Sequence, residues 1–166
     1  MIAPERFRDE ELLEPQRALE ERGVAVTVAS TRAGTATGML GAQVAIACTV
    51  RQADAAQYDA LAIAGGAGSP DHLWDDAPLR ALVQAFHRAG KPVAAICLSG
   101  AVLARAGVIR GRRATVYPVT RAILELKRAG STYVAEPVVV DGPVITASGP
   151  EAAVAFGRTL AGLLTP

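Results

Sequence analysis

Apolar residues in this chain gather in short runs of strand length, and these alternate with stretches that repeat at helical spacing. Residues 24–29, 58–64, 93–96 and 144–147 are such runs, bounded by Gly, Pro, Asp or Ser, the pattern of strands buried on both faces. Between them, residues 9–22 place Leu12 and Leu19 on one face, tolerate Pro15 only near a first turn or at a kink, and stop at Gly23. Residues 78–88 put Leu79, Leu82, Val83 and Phe86 on one face and end at Gly90. Thr120 is expected to cap a helix over 121–129 that Gly130 terminates, and Gly149-Pro150-Glu151 opens a last helix. Asp141-Gly142 between the runs 134–140 and 144–147 reads as a hairpin turn.

Two stretches break the alternation. From Ser30 to Val50, Gly34, Gly38 and Gly41 punctuate short alternating runs, which predicts a hairpin-like excursion with a structural role. At the start, residues 1–3 read as the last piece of a strand that is nearly absent, followed by Pro4 and the acidic opening of the first helix. Either residues before Met1 lie outside this numbering or that strand is unusually short. The order of elements predicts one α/β domain over residues 1–166: a three-layer, flavodoxin-like sandwich with a mostly parallel, doubly wound sheet and helices on both faces.

The run 93–107 carries the candidate chemistry. A buried strand passes without a loop into a helix ending at Gly107, and Cys97 sits at the joint with the small residues Ser99 and Gly100 behind it. This form resembles a nucleophile elbow, and unpaired N–H groups at a helix start lower a thiol pKa and hold an oxyanion. The competing reading is that a cysteine ending an apolar strand simply packs, as Cys48 is expected to do in the run 44–48. Ligands of open α/β sheets bind beyond the carboxyl ends of the strands, where three segments should meet: the one carrying Glu11, the one carrying Gly65 and Gly66, and the Cys97 elbow. That convergence favours the site reading. The glycine cluster 65–68 lacks the Lys-Ser/Thr of a phosphate loop.

Composition narrows the partners. With 51% hydrophobic and 20% charged residues and a formal charge of +1, the chain has a substantial core and no field to attract nucleic acid or an anionic membrane. The arginines between Arg105 and Arg113 lie at a helix end and turn, where they stay solvated. Two cysteines without metal-ligand spacing to His72 or His87 exclude a disulfide scaffold and a metal centre, and fit a reducing cytoplasm. No run approaches a membrane span, and Met1-Ile2-Ala3-Pro4 is too short for a signal-peptide core. No cofactor is expected.

In order and spacing, the residues resemble the ThiJ/PfpI superfamily. The likeness runs through Phe7-Arg8-Asp9-Glu10-Glu11-Leu12, Tyr58-Asp59-Ala60 with Gly65-Gly66, and Gly90-Lys91-Pro92-Val93-Ala94. It continues through Ala95-Ile96-Cys97, Ala106-Gly107-Val108-Ile109-Arg110-Gly111-Arg112, Tyr117-Pro118 and Val138-Val139-Val140-Asp141-Gly142. The superfamily shares the class I glutamine-amidotransferase-like fold and includes PfpI-type intracellular peptidases and the parkinsonism-associated deglycase. The resemblance implies Cys97 as nucleophile, Glu11 as the acidic residue on its sulfur, and the N–H groups of Gly66 and Leu98 as oxyanion hole. It places Gly65, Tyr117 and Asp71 at the site edge, the last through an alignment blurred by one extra residue between Gly65 and Pro70. Without it, Glu11 would read as a solvated first-turn glutamate.

One departure bears on the reaction. Peptidase-like members carry histidine directly after the cysteine, whereas this chain has Leu98, which cannot accept a proton. Two functions stay open: a cysteine-dependent hydrolase or glyoxalase/deglycase acting on small carbonyl or amide compounds, and a non-enzymatic, peroxide-responsive thiol in a stress-response or holding protein. The family also implies a homodimer or larger homo-oligomer, with Trp74 as a candidate interface anchor.

Overall fold

A computed structural model describes residues 1–165. The chain runs β1 (Glu5–Phe7), α1 (Asp9–Glu20), β2 (Ala29–Ser30), β3 (Thr35–Gly38), β4 (Gln43–Ala45), β5 (Cys48–Thr49) and β6 (Leu61–Ile63). It continues with α2 (Ser69–His72), α3 (Ala77–Arg88), β7 (Val93–Ile96), α4 (Gly100–Arg105), β8 (Arg113–Ala114) and α5 (Thr120–Arg128). The last elements are β9 (Thr132–Tyr133), β10 (Val138–Asp141), β11 (Val144–Ala147) and α6 (Ala153–Leu164).

The main sheet has the order β10-β11-β7-β6, parallel except for β10, which leads into β11 through the Asp141-Gly142 turn. Beyond β6, residues 1–3 join the sheet to the β2–β5 pair. Met1 N donates to Ala62 O (2.7 Å), Ala64 N to Met1 O (3.0 Å), and Ile2 N to Ala29 O (3.0 Å). All four residues of β7 are buried because the strand serves both faces. Val93 and Ala95 enter the core beneath α3, α4 and α5, while Ala94 and Ile96 enter the core beneath α1 and α6. A parallel strand covered on both sides has no use for polar alternation, which is why it reads as a continuous apolar run.

Helix α1 is locked against α6 by close backbone approach. A Cβ at Gly157 would lie 2.6 Å from Pro15 Cα and 3.1 Å from Ala18 Cβ, so only glycine permits this separation. The excursion is the expected hairpin, β3 against β4, extended by β1 running parallel to β3. Its tip is tied to the start of α1: buried Asp9 accepts from the N–H groups of Leu40 and Ala42, both at 2.8 Å.

Three local expectations are corrected. Residues 24–28 do not pair as a strand, and only Ala29–Ser30 do, because most of that run has no neighbour on the side facing β6. A short strand, β1, intervenes between Pro4 and the first helix. Thr120 is the first residue of α5 instead of its cap; Val119 holds the cap position without a side-chain bond. Among the described residues no helix is long and apolar enough to cross a membrane.

Candidate active site

Strand β7 ends at Ile96, and Cys97 turns the chain sharply, with φ of +59°. Left-handed backbone at a residue with a side chain costs about 1–2 kcal/mol, so something must hold it there. The holding contacts are polar and buried. Ser99 Oγ donates to Ala64 O at 2.7 Å, which leaves Ser69 Oγ as the donor in the 2.8 Å bond between the two hydroxyls. Trp74 Nε1 donates to Leu98 O at 2.9 Å, and Tyr117 N donates to Cys97 O at 3.4 Å. Trp74 is 1% exposed, with the guanidinium groups of Arg105 and Arg121 over its ring at 5.1 and 4.6 Å. It is therefore a strut beneath the elbow and not the surface anchor expected from its polar surroundings.

The loop after β6 closes over the cysteine. Gly65 N donates to Glu11 Oε2 at 2.8 Å. A Cβ on Gly65 would lie 2.7 Å from Cys97 Cβ and 2.8 Å from that same carboxyl oxygen, so the missing side chain lets acid and thiol meet. Gly66 adopts φ of +104° against the backbone of Arg6 and Phe7, and Arg8 N donates to Gly65 O at 3.0 Å. The backbone amides of Gly66 and Leu98 favour the thiolate form of Cys97.

Burial dominates the electrostatics. Glu11, 2% exposed, is pushed up to about 7 by desolvation, with hydrogen bonding to Cys97 and Gly65 opposing the shift. Cys97, 5% exposed, is pushed up to about 12, first by desolvation and then by the charge of Glu11, against the pull of the Gly66 and Leu98 amides. The lowering expected from a helix start is outweighed by this burial and by the neighbouring carboxyl. The two groups titrate as a unit. When Glu11 holds a proton its repulsion of a thiolate disappears, and its O–H becomes a donor to sulfur. Oε1 of Glu11 is buried without a hydrogen-bond partner, an oxygen suited to carrying that proton.

The sign of the Glu11 shift gives an expected result. From the unfolded carboxyl value of about 4.3 up to about 7, the folded chain retains a proton that the unfolded chain has released, so stability falls as pH rises, by at most ~1.4 kcal/mol per unit. Glu11→Gln removes that proton equilibrium. Urea unfolding at about pH 5, 6 and 7 should show the decline in the parent chain and its loss in the variant; equal slopes in both would refute the assignment.

The structure thus brings together Glu11, Gly65, Gly66, Cys97 and Leu98, drawn from α1, the loop after β6 and the elbow. Tyr117 stands at the edge, 41% exposed, its ring over Gly149. Asp71 lies on α2 at the surface, paired with Arg6 at 2.5 Å, and makes no contact with the thiol. His72 and His87 lie on α2 and α3 outside the cluster. Sequence reasoning missed Arg8, which ties down Gly65, and Met39, whose sulfur accepts from Ala67 N at 3.4 Å so that the hairpin tip borders the glycine loop. Neither has a local signal, because each acts on a partner distant in the chain.

A buried cysteine on a strand-to-helix elbow, facing a carboxyl from the first helix at the carboxyl edge of a doubly wound sheet, defines a class of cysteine-elbow α/β proteins. The model of the DJ-1/PfpI family matches residues 1–162. An uncharacterised protein of Methanocaldococcus jannaschii is 48% identical over 157 residues, covering 95% of this chain and 77% of that protein. A protein of Pyrococcus horikoshii named as a deglycase is 34% identical over 158 residues, covering 95% and 93%. The crystal structure of a ThiJ/PfpI domain protein from Brachyspira murdochii superposes with a TM-score of 0.93 at 30% identity, covering 98% of this chain and 92% of that one. The chain belongs to the DJ-1/PfpI family.

Proposed function

We propose that this protein is a cysteine-dependent enzyme acting on small carbonyl compounds, of the glyoxalase or deglycase kind. The observation that carries the reading is the buried Glu11 carboxyl bonded to Gly65 N, with Gly65 packed against both that carboxyl and Cys97 Cβ, at an elbow where the Gly66 and Leu98 amides favour the thiolate. The thiol proton passes to Glu11, the sulfur adds to the carbonyl carbon, and the resulting alkoxide lies within reach of the Gly66 and Leu98 amides, as an oxyanion hole requires. Glu11 then returns the proton to that oxygen, giving a neutral hemithioacetal. With leucine at position 98, Glu11 is the proton carrier at the sulfur.

Relatives named as deglycases, in Pyrococcus horikoshii and Escherichia coli, support this class. The tight surroundings of Cys97 favour two- or three-carbon aldehydes and glycated amines over large peptides. The test is direct: purified protein supplied with methylglyoxal, or with lysine and arginine glycated by it, should consume them without added cofactor. Absence of turnover, with mild peroxide adding oxygen to Cys97 and none to Cys48, would replace this reading by that of a peroxide-responsive thiol.

A further inference from the structure

The carboxyl of Glu11 has little around it to stabilise its charged form. Oε1 is buried without a partner, and Oε2 takes a single backbone bond among the described residues, from Gly65 N at 2.8 Å. Cys97 faces the carboxyl across the elbow, Arg8 stands before the helix and Glu10 beside it, while Asp9 is turned to the hairpin tip and Arg158 of α6 is exposed. Where one neutral donor serves a buried carboxylate, the strength of that donor bears directly on how firmly the proton is held.

That N–H belongs to the peptide whose carbonyl is Ala64 O, and the carbonyl is itself bonded, accepting from Ser99 Oγ at 2.7 Å. Ser99 Oγ in turn accepts from Ser69 Oγ at 2.8 Å, an order fixed because a hydroxyl has one proton and Ser99 gives its own to Ala64. Ser69, Ser99 and Ala64 are all buried. Two hydroxyls, one peptide and one carboxyl therefore stand in line with a single sense. Donation to a peptide carbonyl polarises the N–H at its other end, and chains of hydrogen bonds strengthen by roughly 10–30% per link. The peptide is also held in place from the far side, since Arg8 N donates to Gly65 O at 3.0 Å and Ser69 N to Gly66 O at 3.1 Å.

We propose that Ser99 and Ser69 are positioning residues for Glu11, acting through the Ala64-Gly65 peptide to aim and strengthen the one backbone donor on its carboxyl. No proton passes along this chain. Its effect is to favour the charged carboxyl, so that Glu11 stands ready to accept the thiol proton near neutral pH. That consequence rests on the proposed role of Glu11 as proton carrier, whereas the link itself does not.

The test follows the Glu11 carboxyl carbon by 13C NMR from about pH 4 to 9, with Glu11→Gln identifying the resonance. Ser99→Ala should move the midpoint upwards by about half a unit or more, and Ser69→Ala should move it in the same direction by less. Ser30→Ala removes a hydroxyl equally buried but without a partner, and should leave the midpoint in place. If thermal unfolding shows that Ser99→Ala does not fold, Ser69→Ala decides, because it spares the bond to Ala64. A midpoint unchanged or lowered in the folded serine variants would overturn the proposal, as would an equal rise in Ser30→Ala. The measurement needs no substrate: the upward shift without aldehyde turnover would keep this link and remove the proposed chemistry, and turnover without the shift would do the reverse.

Discussion

Replacing Cys97 with alanine should reduce turnover of small aldehydes to the background rate, a loss of about three orders of magnitude or more, while the fold remains intact. The sulfur is the nucleophile of the proposed chemistry, and no other side chain in the cluster can take its place: Glu11 serves there as a proton carrier and Leu98 is inert. Alanine keeps the left-handed turn as it was, since the strain at φ of +59° belongs to any residue with a Cβ and the pins from Ser99, Trp74 and Tyr117 do not involve sulfur. Steady-state kinetics with thermal unfolding on the same preparation checks both halves. Cys48→Ala is the control, because that thiol lies on β5, outside the cluster. Unchanged turnover in Cys97→Ala would refute the proposed chemistry.

The largest effect on stability is expected at Gly66. Its φ of +104° is unfavourable for any residue with a side chain, and a methyl group there would meet Arg6 O at 2.6 Å and Phe7 C at 2.7 Å. Both are backbone atoms, which cannot swing aside as the tip of a flexible side chain would. Strain and overlap together should cost about 3–5 kcal/mol, a large share of a small domain's stability. Gly162→Ala makes the contrast. It lies within α6 with open space around it, and there alanine should stabilise by about 0.5–1 kcal/mol. Urea midpoints measured in parallel decide it; similar midpoints for Gly66→Ala and the parent would show that the loop can move away from β1.

What could be read from the sequence was whatever is encoded by neighbours. The elbow is a strand run, one cysteine and a helical run in immediate succession, and the structure has that order, with a tight turn over Cys97–Ser99 and the α-helix over Gly100–Arg105. The hairpin at Asp141-Gly142 and the amphipathic α3 are local in the same sense. Glu11 belongs to another kind. Its acidic neighbours Asp9 and Glu10 made it look like one of several first-turn carboxylates, and only the resemblance set it apart; its burial depends on Gly65, which lies 54 positions further along. Trp74 was misread for the same reason, since its partner Leu98 is 24 positions away and a polar loop around a tryptophan says nothing of what the indole reaches. Residues 24–28 failed differently. Their apolar pattern suits a buried strand, but a strand is a property of its neighbours as much as of itself, and the pairing there reaches only Ala29–Ser30.

Because alternate residues of β7 are shared between the cores on its two faces, Cys97 stands on a strand that neither half of the molecule can release alone. Local breathing of a surface loop leaves the elbow in place, and loosening either helical layer withdraws support from the strand that carries it. Reactivity at Cys97 is thus bound to the cooperative unit as a whole: the elbow keeps its geometry until the entire domain opens, and inactivation by heat coincides with global unfolding instead of preceding it.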